Sequence, residues 1–341
     1  MHDNEPIFIH AWWRSGSTYI WSKLREDESC RAYFEPLNER IPDLTLSMIE
    51  AAPDADASRG LRHPILARDY FAEYADLLRS GGLCYSRELA FDRYLLQPDQ
   101  PDPQLHAYIA TLVESAFAAK RRPALCFCRS QMRSSWMKQN FGGIHVAQIR
   151  NPHDQWDSFK SFQTRVRSNF PAKMTTIALN LRALHPDAFA HIEPFESFAQ
   201  QISKPSSLPA ESIQQYFLRQ FVIQRNCLDL FLVIWIASAL QAIACCDFVL
   251  DIDQLSRDSA NRNSASEWFK SIGVSVDLSD CSSPISKDRD ASFEQIAADA
   301  VRSLRSNASS LVVTRSSGVA RWLPSLFPLS RQILSSALGF E

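Results

Sequence analysis

Short apolar runs recur along the chain, each followed by a polar turn or by a segment with helical spacing. The first run, residues 6–13 (PIFIHAWW), predicts a buried strand close to the start. A small polar turn, residues 14–18 (RSGST), follows, and residues 19–25 carry apolar side chains at helical spacing. The order of strand, turn and helix predicts the opening of a βαβ unit.

Three later apolar runs predict further buried strands, at residues 124–128, 145–149 and 247–252. Segments with helical spacing separate them, among them residues 69–78 and 104–120. Strands that alternate with helices are typical of a mainly parallel sheet. The expected fold class is therefore α/β, with a central, mainly parallel sheet flanked by helices.

Two regions stand apart from this alternation. Residues 164–212 contain five prolines, which predicts an irregular surface insertion or lid. Residues 230–246 form the most apolar run. Because a membrane span needs about 20 residues and a strand pattern follows at once, the run predicts a buried helix. The expected organisation is an α/β domain over residues 1–280 and a Ser-rich, helical C-terminal extension over residues 281–341.

Composition narrows the class of protein. Lys plus Arg is 36 and Asp plus Glu is 38, for a net charge of −2, which argues against a protein that coats nucleic acid. Hydrophobic residues make up 45% of the chain, as in ordinary globular proteins. The eight cysteines show no zinc-site spacing, and the acidic start does not resemble a signal peptide. These features predict a reduced, cytoplasmic protein without a transmembrane segment.

The turn after the first strand has the composition of a phosphate-binding loop. Gly16 permits a tight turn and a close approach of the backbone to a ligand. Ser17 and Thr18 offer hydroxyls where a helix N-cap is favoured, and free N–H groups at a helix start bind phosphate. Arg14 adds a permanent positive charge. A Walker A sequence is absent. The structural alternative is a capped helix beside a surface arginine.

A second candidate anion site follows the strand at residues 145–149. Arg150 stands at the carboxyl end of that strand, the edge at which ligands of open α/β sheets bind. Pro152 suits the first turn of a new helix, and Ser158 follows Arg150 by eight residues. Arg150 could form paired bonds to a phosphate with Ser158 adding a hydroxyl. The structural alternative is an ion pair between Arg150 and Asp154.

Together the two motifs resemble those of sulfotransferases that use 3′-phosphoadenosine 5′-phosphosulfate (PAPS). Residues 14–18 resemble the family's 5′-phosphosulfate loop, and residues 150–158 its 3′-phosphate motif, in the same order and with the same Arg-to-Ser spacing. Residues 251–255 (DIDQL) are placed like a late acidic segment of the family. The resemblance covers roughly residues 5–275.

The resemblance implies a P-loop-like, three-layer nucleotide-binding fold and transfer of a sulfuryl group from PAPS to an acceptor hydroxyl, releasing PAP, without a metal. The nucleotide-binding residues that it implies are Arg14, Ser15, Gly16, Ser17, Thr18, Tyr19, Arg150 and Ser158. The cytosolic small-molecule branch usually has Lys at the position of Arg14 and Trp at that of Tyr19. The sequence is therefore closer to the bacterial carbohydrate and protein-tyrosine branches. The Arg-Lys-Gly contact of the cytosolic branch is absent, so the adenosine site is only partly assigned.

The acceptor hydroxyl needs a general base as its oxygen attacks sulfur. Several branches of the family use a Glu soon after the first helix, and Glu35 lies at that place. Glu39 is the second candidate and His106 a fallback. The structural alternative is that Glu35 only forms an ion pair with a nearby arginine, Arg31 or Arg40.

The leaving PAP gains negative charge, which cations stabilise. Arg14 is the first candidate and Arg129, directly after the strand at residues 124–128, is the second; the alternative for Arg129 is a plain surface residue. The favoured acceptors are a carbohydrate or a peptide tyrosine. The competing hypotheses are a nucleotide-dependent phosphotransferase or kinase and a non-catalytic nucleotide-binding protein.

Overall fold

A computed structural model describes residues 5–51, 66–166, 170–189, 224–283, 291–307, 319–326 and 328–339. Its centre is a five-stranded sheet in which every pair of neighbours is parallel. The strands are β1 (Ile7–His10), β2 (Cys30–Phe34), β3 (Arg122–Phe127), β4 (Ile144–Ile149) and β5 (Phe248–Asp251). The predicted α/β class and parallel sheet are confirmed, and the arrangement is consistent with three layers.

The sequence patterns predict four of these strands, and β2 is the one they miss. Its five residues are all buried, yet Arg31 interrupts the apolar run. The guanidinium of Arg31 reaches an acid of the same chain, because its Nη1 lies 3.0 Å from Asp76 Oδ2. A charged residue whose partner lies far away in sequence therefore conceals a buried strand.

Helices connect and cover the strands. The helices are α1 (Ser17–Glu26), α2 (Leu46–Glu50), α3 (Ala75–Arg79), α4 (Pro103–Ala118), α5 (Ser134–Phe141), α6 (Pro152–Val166), α7 (Phe170–Leu184), α8 (Pro186–Phe189), α9 (Gln224–Cys245), α10 (Ile252–Arg257), α11 (Ser259–Ser271), α12 (Ala291–Asn307) and α13 (Pro328–Leu338). Helices α1 and α4 lie close to their predicted bounds. Residues 69–78 form only the short helix α3 and a preceding 3₁₀ turn.

The prediction that residues 164–212 are irregular is wrong for residues 164–166, 170–184 and 186–189, which are helical. The reason is the position of the prolines. Pro171 lies in the first turn of α7 and Pro186 is the first residue of α8, where a proline disrupts no helical hydrogen bond. The remainder of the predicted lid lies outside the described residues.

The strand order is β2-β3-β1-β4-β5. From the central strand β1 the chain crosses to the edge strand β2, returns to β3 beside β1, and then moves to β4 on the other side of β1. The chain therefore adds β2 and β3 on one side of β1 and then β4 on its other side. In open α/β sheets the crevice at the carboxyl ends of such strands is where ligands bind. Residues that follow β1 and β4 lie at this crevice.

The long helix α9 is a core element. The window Leu228–Cys245 is long and apolar enough to cross a membrane, but 78% of it is buried inside the protein, as the sequence pattern predicts for a buried helix. The C-terminal helices α12 and α13 belong to the same hydrophobic cluster as α9 through Phe293 and Leu334. The described part of the predicted C-terminal extension is thus largely helical and packs on α9.

Candidate functional site

The loop between β1 and α1 has the predicted form of strand, turn and helix. Helix α1 begins at Ser17, and Gly16 is the N-cap with a φ of 86°. The expectation that Ser17 or Thr18 caps the helix is therefore wrong, because no side chain caps it and both residues lie inside its first turn. First-turn amides have no acceptor within their own helix, so those of Ser17 and Thr18 suit an anion.

Three side chains, from β4 and the segment that follows it, donate hydrogen bonds to the backbone of this loop. The carbonyl oxygens of Trp13, Arg14 and Ser15 accept hydrogen bonds from three different side chains. The donors are Gln155 Nε2 at 2.6 Å, Arg150 Nη1 at 3.0 Å and Gln148 Nε2 at 2.9 Å, in the same order. Arg14 itself has a φ of 63°, the left-handed region that a residue with a side chain seldom adopts.

The two predicted motifs meet at this loop. Arg14 Nε donates to Ser158 Oγ at 3.1 Å, across 144 residues of sequence. Arg150 directly follows β4, helix α6 begins at Pro152 as predicted, and Arg150 donates to the Arg14 carbonyl. The structure thus brings together two guanidinium groups, a hydroxyl and the start of α1 at the crevice of the sheet.

A buried acid faces Arg150 from helix α10. Arg150 Nε lies 3.9 Å from Asp253 Oδ1, and Asp253 Oδ2 accepts a 2.6 Å bond from the amide of Asn151. Burial raises the pKa of Asp253, opposed by the Asn151 bond and the charge of Arg150. The structural alternative names Asp154 as an acid for Arg150, and the structure shows Asp253 as an acid near its guanidinium that the sequence analysis did not name for this role. The acidic segment 251–255 was the signal available for it.

Glu35 lies directly after β2, with a φ of 40°. Its carboxylate accepts a 2.6 Å bond from Asn38 Nδ2 and a 3.1 Å bond from Cys128 Sγ. The same sulfur lies 3.0 Å from Ser17 Oγ. Glu35 is thereby linked through Cys128 to the first residue of α1. The alternative of an ion pair with Arg31 is wrong, since Arg31 binds Asp76; Cys128 was missed as a site residue.

Arg129 is not the surface residue of the alternative interpretation, because only 2% of its side chain is exposed. It forms an ion pair with Glu39 and donates to the Leu37 carbonyl at 2.5 Å. Lys173, from the predicted lid, also pairs with Glu39. Burial would raise the pKa of Glu39, but the charges of Arg129 and Lys173 outweigh it and lower the pKa to about 2. Glu39 is therefore a weak proton acceptor.

The remaining predicted residues have structural contacts of their own. The hydroxyl of Ser15 donates to the Trp12 carbonyl at 2.7 Å, within the loop. The hydroxyl of Tyr19 donates to Asp280 Oδ1 at 2.7 Å. His106 is exposed and stacks on Phe141, which lies before the amino end of β4 rather than at the crevice. His106 is thus separated from the loop.

Comparisons with known proteins give no relative. No family model, no curated protein and no solved structure matches the chain. The resemblance to a family therefore depends on the two motifs and on their meeting in space.

Proposed function

We propose that the chain is a PAPS-dependent sulfotransferase with a P-loop-like nucleotide site at the crevice between β1 and β4. The observation that carries the proposal is the contact between the two motifs, in which Arg14 Nε donates to Ser158 Oγ at 3.1 Å. The motifs resemble sites for the 5′ and 3′ phosphates of one nucleotide. Such a nucleotide requires both sites to be adjacent, and residues 144 positions apart in sequence meet this requirement.

The residues present fit an anion with more than one phosphate. Arg14 and Arg150 contribute two permanent positive charges, the first-turn amides of α1 contribute neutral donors, and Ser158 contributes a hydroxyl. Charge-assisted hydrogen bonds of this kind are about twice as strong as neutral ones. The left-handed backbone at Arg14 agrees with such a site, because strained residues cluster where ligands bind.

Glu35 is the proposed general base. PAPS supplies an activated sulfuryl group, to whose sulfur the acceptor oxygen forms a bond while the bridging bond to the 5′-phosphate breaks. Glu35 takes the acceptor's proton, and PAP leaves with the electron pair of the broken bond. Glu35 lies beside the loop, because Cys128 bonds the Glu35 carboxylate and also contacts Ser17 Oγ. Glu39 is the weaker candidate, because a base with a pKa near 2 has little driving force at neutral pH.

Arg14 is the proposed cation for the leaving group. Arg129 is an unsuitable second candidate, since it already forms a buried ion pair with Glu39. Its role in the proposal is to hold Glu39 and the Leu37 carbonyl beside the base. The proposed acceptor carries a hydroxyl on a carbohydrate or a peptide tyrosine.

Binding by calorimetry tests the nucleotide site. PAP, ADP and AMP are titrated into wild type, Arg150→Lys and Arg150→Ala, with the exposed Arg79→Ala as the matched control. We expect wild type and Arg79→Ala to prefer PAP over AMP, and Arg150→Ala to lose most of that preference. Loss of one charge-assisted contact of about 1.5–3 kcal/mol corresponds to roughly 10- to 150-fold. Equal affinity of wild type for the three nucleotides would contradict the proposal.

Turnover tests the base. With labelled PAPS and a panel of hydroxyl acceptors, Glu35→Gln is expected to retain PAP binding and to lose about 100- to 10,000-fold in kcat. Glu26→Gln, exposed on α1, is the matched control and keeps full activity. Turnover of Mg-ATP in place of PAPS would instead support a kinase. Binding of PAP without turnover of PAPS by wild type would support a non-catalytic nucleotide-binding protein.

A further inference from the structure

Three successive carbonyl groups of the loop are bonded by one short segment of the chain. Gln148, Arg150 and Gln155, all within eight residues, donate to Ser15, Arg14 and Trp13 respectively. Gln148 is fully buried and Gln155 is 1% exposed. Two buried amide side chains thus have loop carbonyls as partners, in a part of the site to which the family resemblance assigns only Arg150 and Ser158.

The direction of these bonds fixes the direction of the loop amides. In a trans peptide unit the N–H and the C=O point to opposite sides. Because the Ser15 carbonyl points to Gln148, the amide of Gly16 points away from β4. The amide of Arg14 points away from Gln155 on α6, since the Trp13 carbonyl points to Gln155. Glutamine donors on one side of the loop therefore orient amides toward the other side.

Gln155 also connects the loop to the core. Its Oε1 accepts a 3.1 Å bond from Trp235 Nε1, while its Nε2 donates to the Trp13 carbonyl at 2.6 Å. Trp235 belongs to α9 and is 2% exposed. Both ends of the amide are thus engaged, and the orientation that satisfies Trp235 is the one that turns the NH₂ group toward the loop.

We propose that Gln148 and Gln155 are positioning residues that hold the loop of residues 13–16 in its anion-binding conformation, with Gln155 fixed by Trp235. The effect on the loop backbone stands on its own. The effect on nucleotide affinity rests on the proposed function. Both glutamines act through the backbone and need not touch the ligand.

The first test measures the loop without a ligand. Amide hydrogen exchange is followed at Ser15, Tyr19 and Ile20, whose N–H groups bond carbonyls of Trp12 and Gly16. Gln155→Glu keeps an acceptor for Trp235 but replaces the donor to Trp13 with a carboxylate. We expect exchange in residues 13–20 to accelerate at least about threefold. Gln131→Glu is the matched control, because this buried glutamine bonds the carbonyl of Gln148 rather than the loop. It is expected to leave exchange in the loop unchanged.

The second test measures PAP affinity by calorimetry well below the melting temperature, where a loss of stability alone has no effect on binding. We expect Gln155→Glu to weaken PAP and AMP in parallel by about 3- to 10-fold. Lowering the pH from about 8 to about 5 protonates the new carboxyl and restores an O–H donor. Affinity relative to wild type should therefore recover in Gln155→Glu, with Gln131→Glu close to wild type at every pH.

The outcomes separate the two proposals. Unchanged exchange in the loop, or equal acceleration throughout the protein, would overturn the positioning role whether or not PAP binds. Faster exchange confined to the loop, in a protein that binds no PAP, would keep that role and reject the sulfotransferase. Where Gln155→Glu fails to fold, Gln148→Met removes the donor to Ser15 without adding charge, and the same loop exchange decides.

Discussion

Strands β1 and β4 carry two polar clusters that differ in kind. The histidine cluster, formed by His10, His145 and Ser130, lies inside the protein with all three residues fully buried. The edge cluster, formed by Arg14, Arg150 and Ser158, lies just past the carboxyl ends of the same strands. His10 and Arg14 are four residues apart along the chain.

Each ring nitrogen of the histidine cluster has a partner. The two rings bond each other at 2.9 Å, His10 bonds Ser130 at 2.7 Å and His145 bonds the Gly142 carbonyl at 2.8 Å. Burial lowers the pKa of both histidines, that of His145 to about 4, so the cluster is neutral at pH 7. A saturated, neutral network stabilises the fold and offers nothing to a ligand.

The edge cluster is charged, adjoins a loop with left-handed backbone at Arg14 and Gly16, and lies beside first-turn amides of α1. The difference teaches that polar residues within two adjacent strands and those just past the strand ends need not share a role. Inside the sheet they satisfy one another. Beyond the carboxyl ends of the strands, the polar side chains lie beside first-turn amides of α1, which have no acceptor within their own helix.

The largest expected effect is the loss of stability when a substitution disrupts the histidine cluster. His10→Ala removes two hydrogen bonds and leaves a cavity, so the free energy of unfolding should fall by about 3 kcal/mol, measured by urea denaturation. PAP affinity should stay within about twofold of wild type. A large loss of affinity in a stably folded His10→Ala protein would show that the two clusters are not separate.

The pH dependence of stability sharpens the same comparison. A histidine whose pKa is lowered on folding contributes fully above about pH 6.5, and the contribution falls as the pH decreases toward the folded value. For His145, with a folded pKa of about 4, the free energy of unfolding should fall by about 2 kcal/mol between about pH 6.5 and 5. His145→Gln should reduce this slope, and His106→Gln, at an exposed histidine, should leave it unchanged. Equal slopes in all three proteins would contradict the assignment.

Gly16→Ala separates backbone strain from ligand binding. A Cβ would meet Ile252 at 3.4 Å, an ordinary contact, so the cost comes from the φ of 86° and is about 1 kcal/mol of stability. Gly81→Ala is the matched control, with a φ of 67° and open space around the new Cβ. Both variants should lose similar stability in thermal melts, but only Gly16→Ala should weaken PAP binding. Equal PAP affinities of Gly16→Ala and Gly81→Ala would show that the anion site does not include the loop at Gly16.

Ser158→Ala has the smallest expected effect. It removes one acceptor of Arg14, at a cost of about 0.5–1 kcal/mol in PAP affinity, and calorimetry should show AMP binding almost unchanged. Ser22→Ala, which loses a helix serine bonded to the Tyr19 carbonyl, is the control. If Ser158→Ala lowers the affinities for AMP and PAP equally, Ser158 stabilises the loop and does not bind a second phosphate.

Much of the fold follows from sequence because buried parallel strands are apolar throughout. Four strands and the helices α1, α4 and α9 are evident from their patterns. Strand β2 is hidden by Arg31, whose acid partner lies on α3. The prolines of residues 164–189 mislead for a related reason, since a proline that begins a helix and one that prevents a helix look alike without the structure.

In the candidate site, only residues that belong to a recognisable motif or match a family position could be predicted from the sequence. Arg14, Arg150 and Ser158 come from residue type and spacing, and Glu35 comes from the family resemblance. The roles of Gln148 and Gln155 were not visible, because each bonds a backbone carbonyl, which every residue has and no pattern marks. Asp253 needed the packing of α10 against the end of β4 to be found as the partner of Arg150.

The position of β1 in the sheet has a consequence for biosynthesis. This central strand is paired on both sides only with segments made later, since Ile7 aligns with Ala124 and with Ile144. At a translation rate of about 5–20 residues per second, its apolar side chains wait roughly 6 to 23 seconds before Ala124 of the first partner strand is made. Contacts so distant in sequence also slow folding. A chaperone that shields β1 in the nascent chain is therefore expected to raise the yield of folded protein.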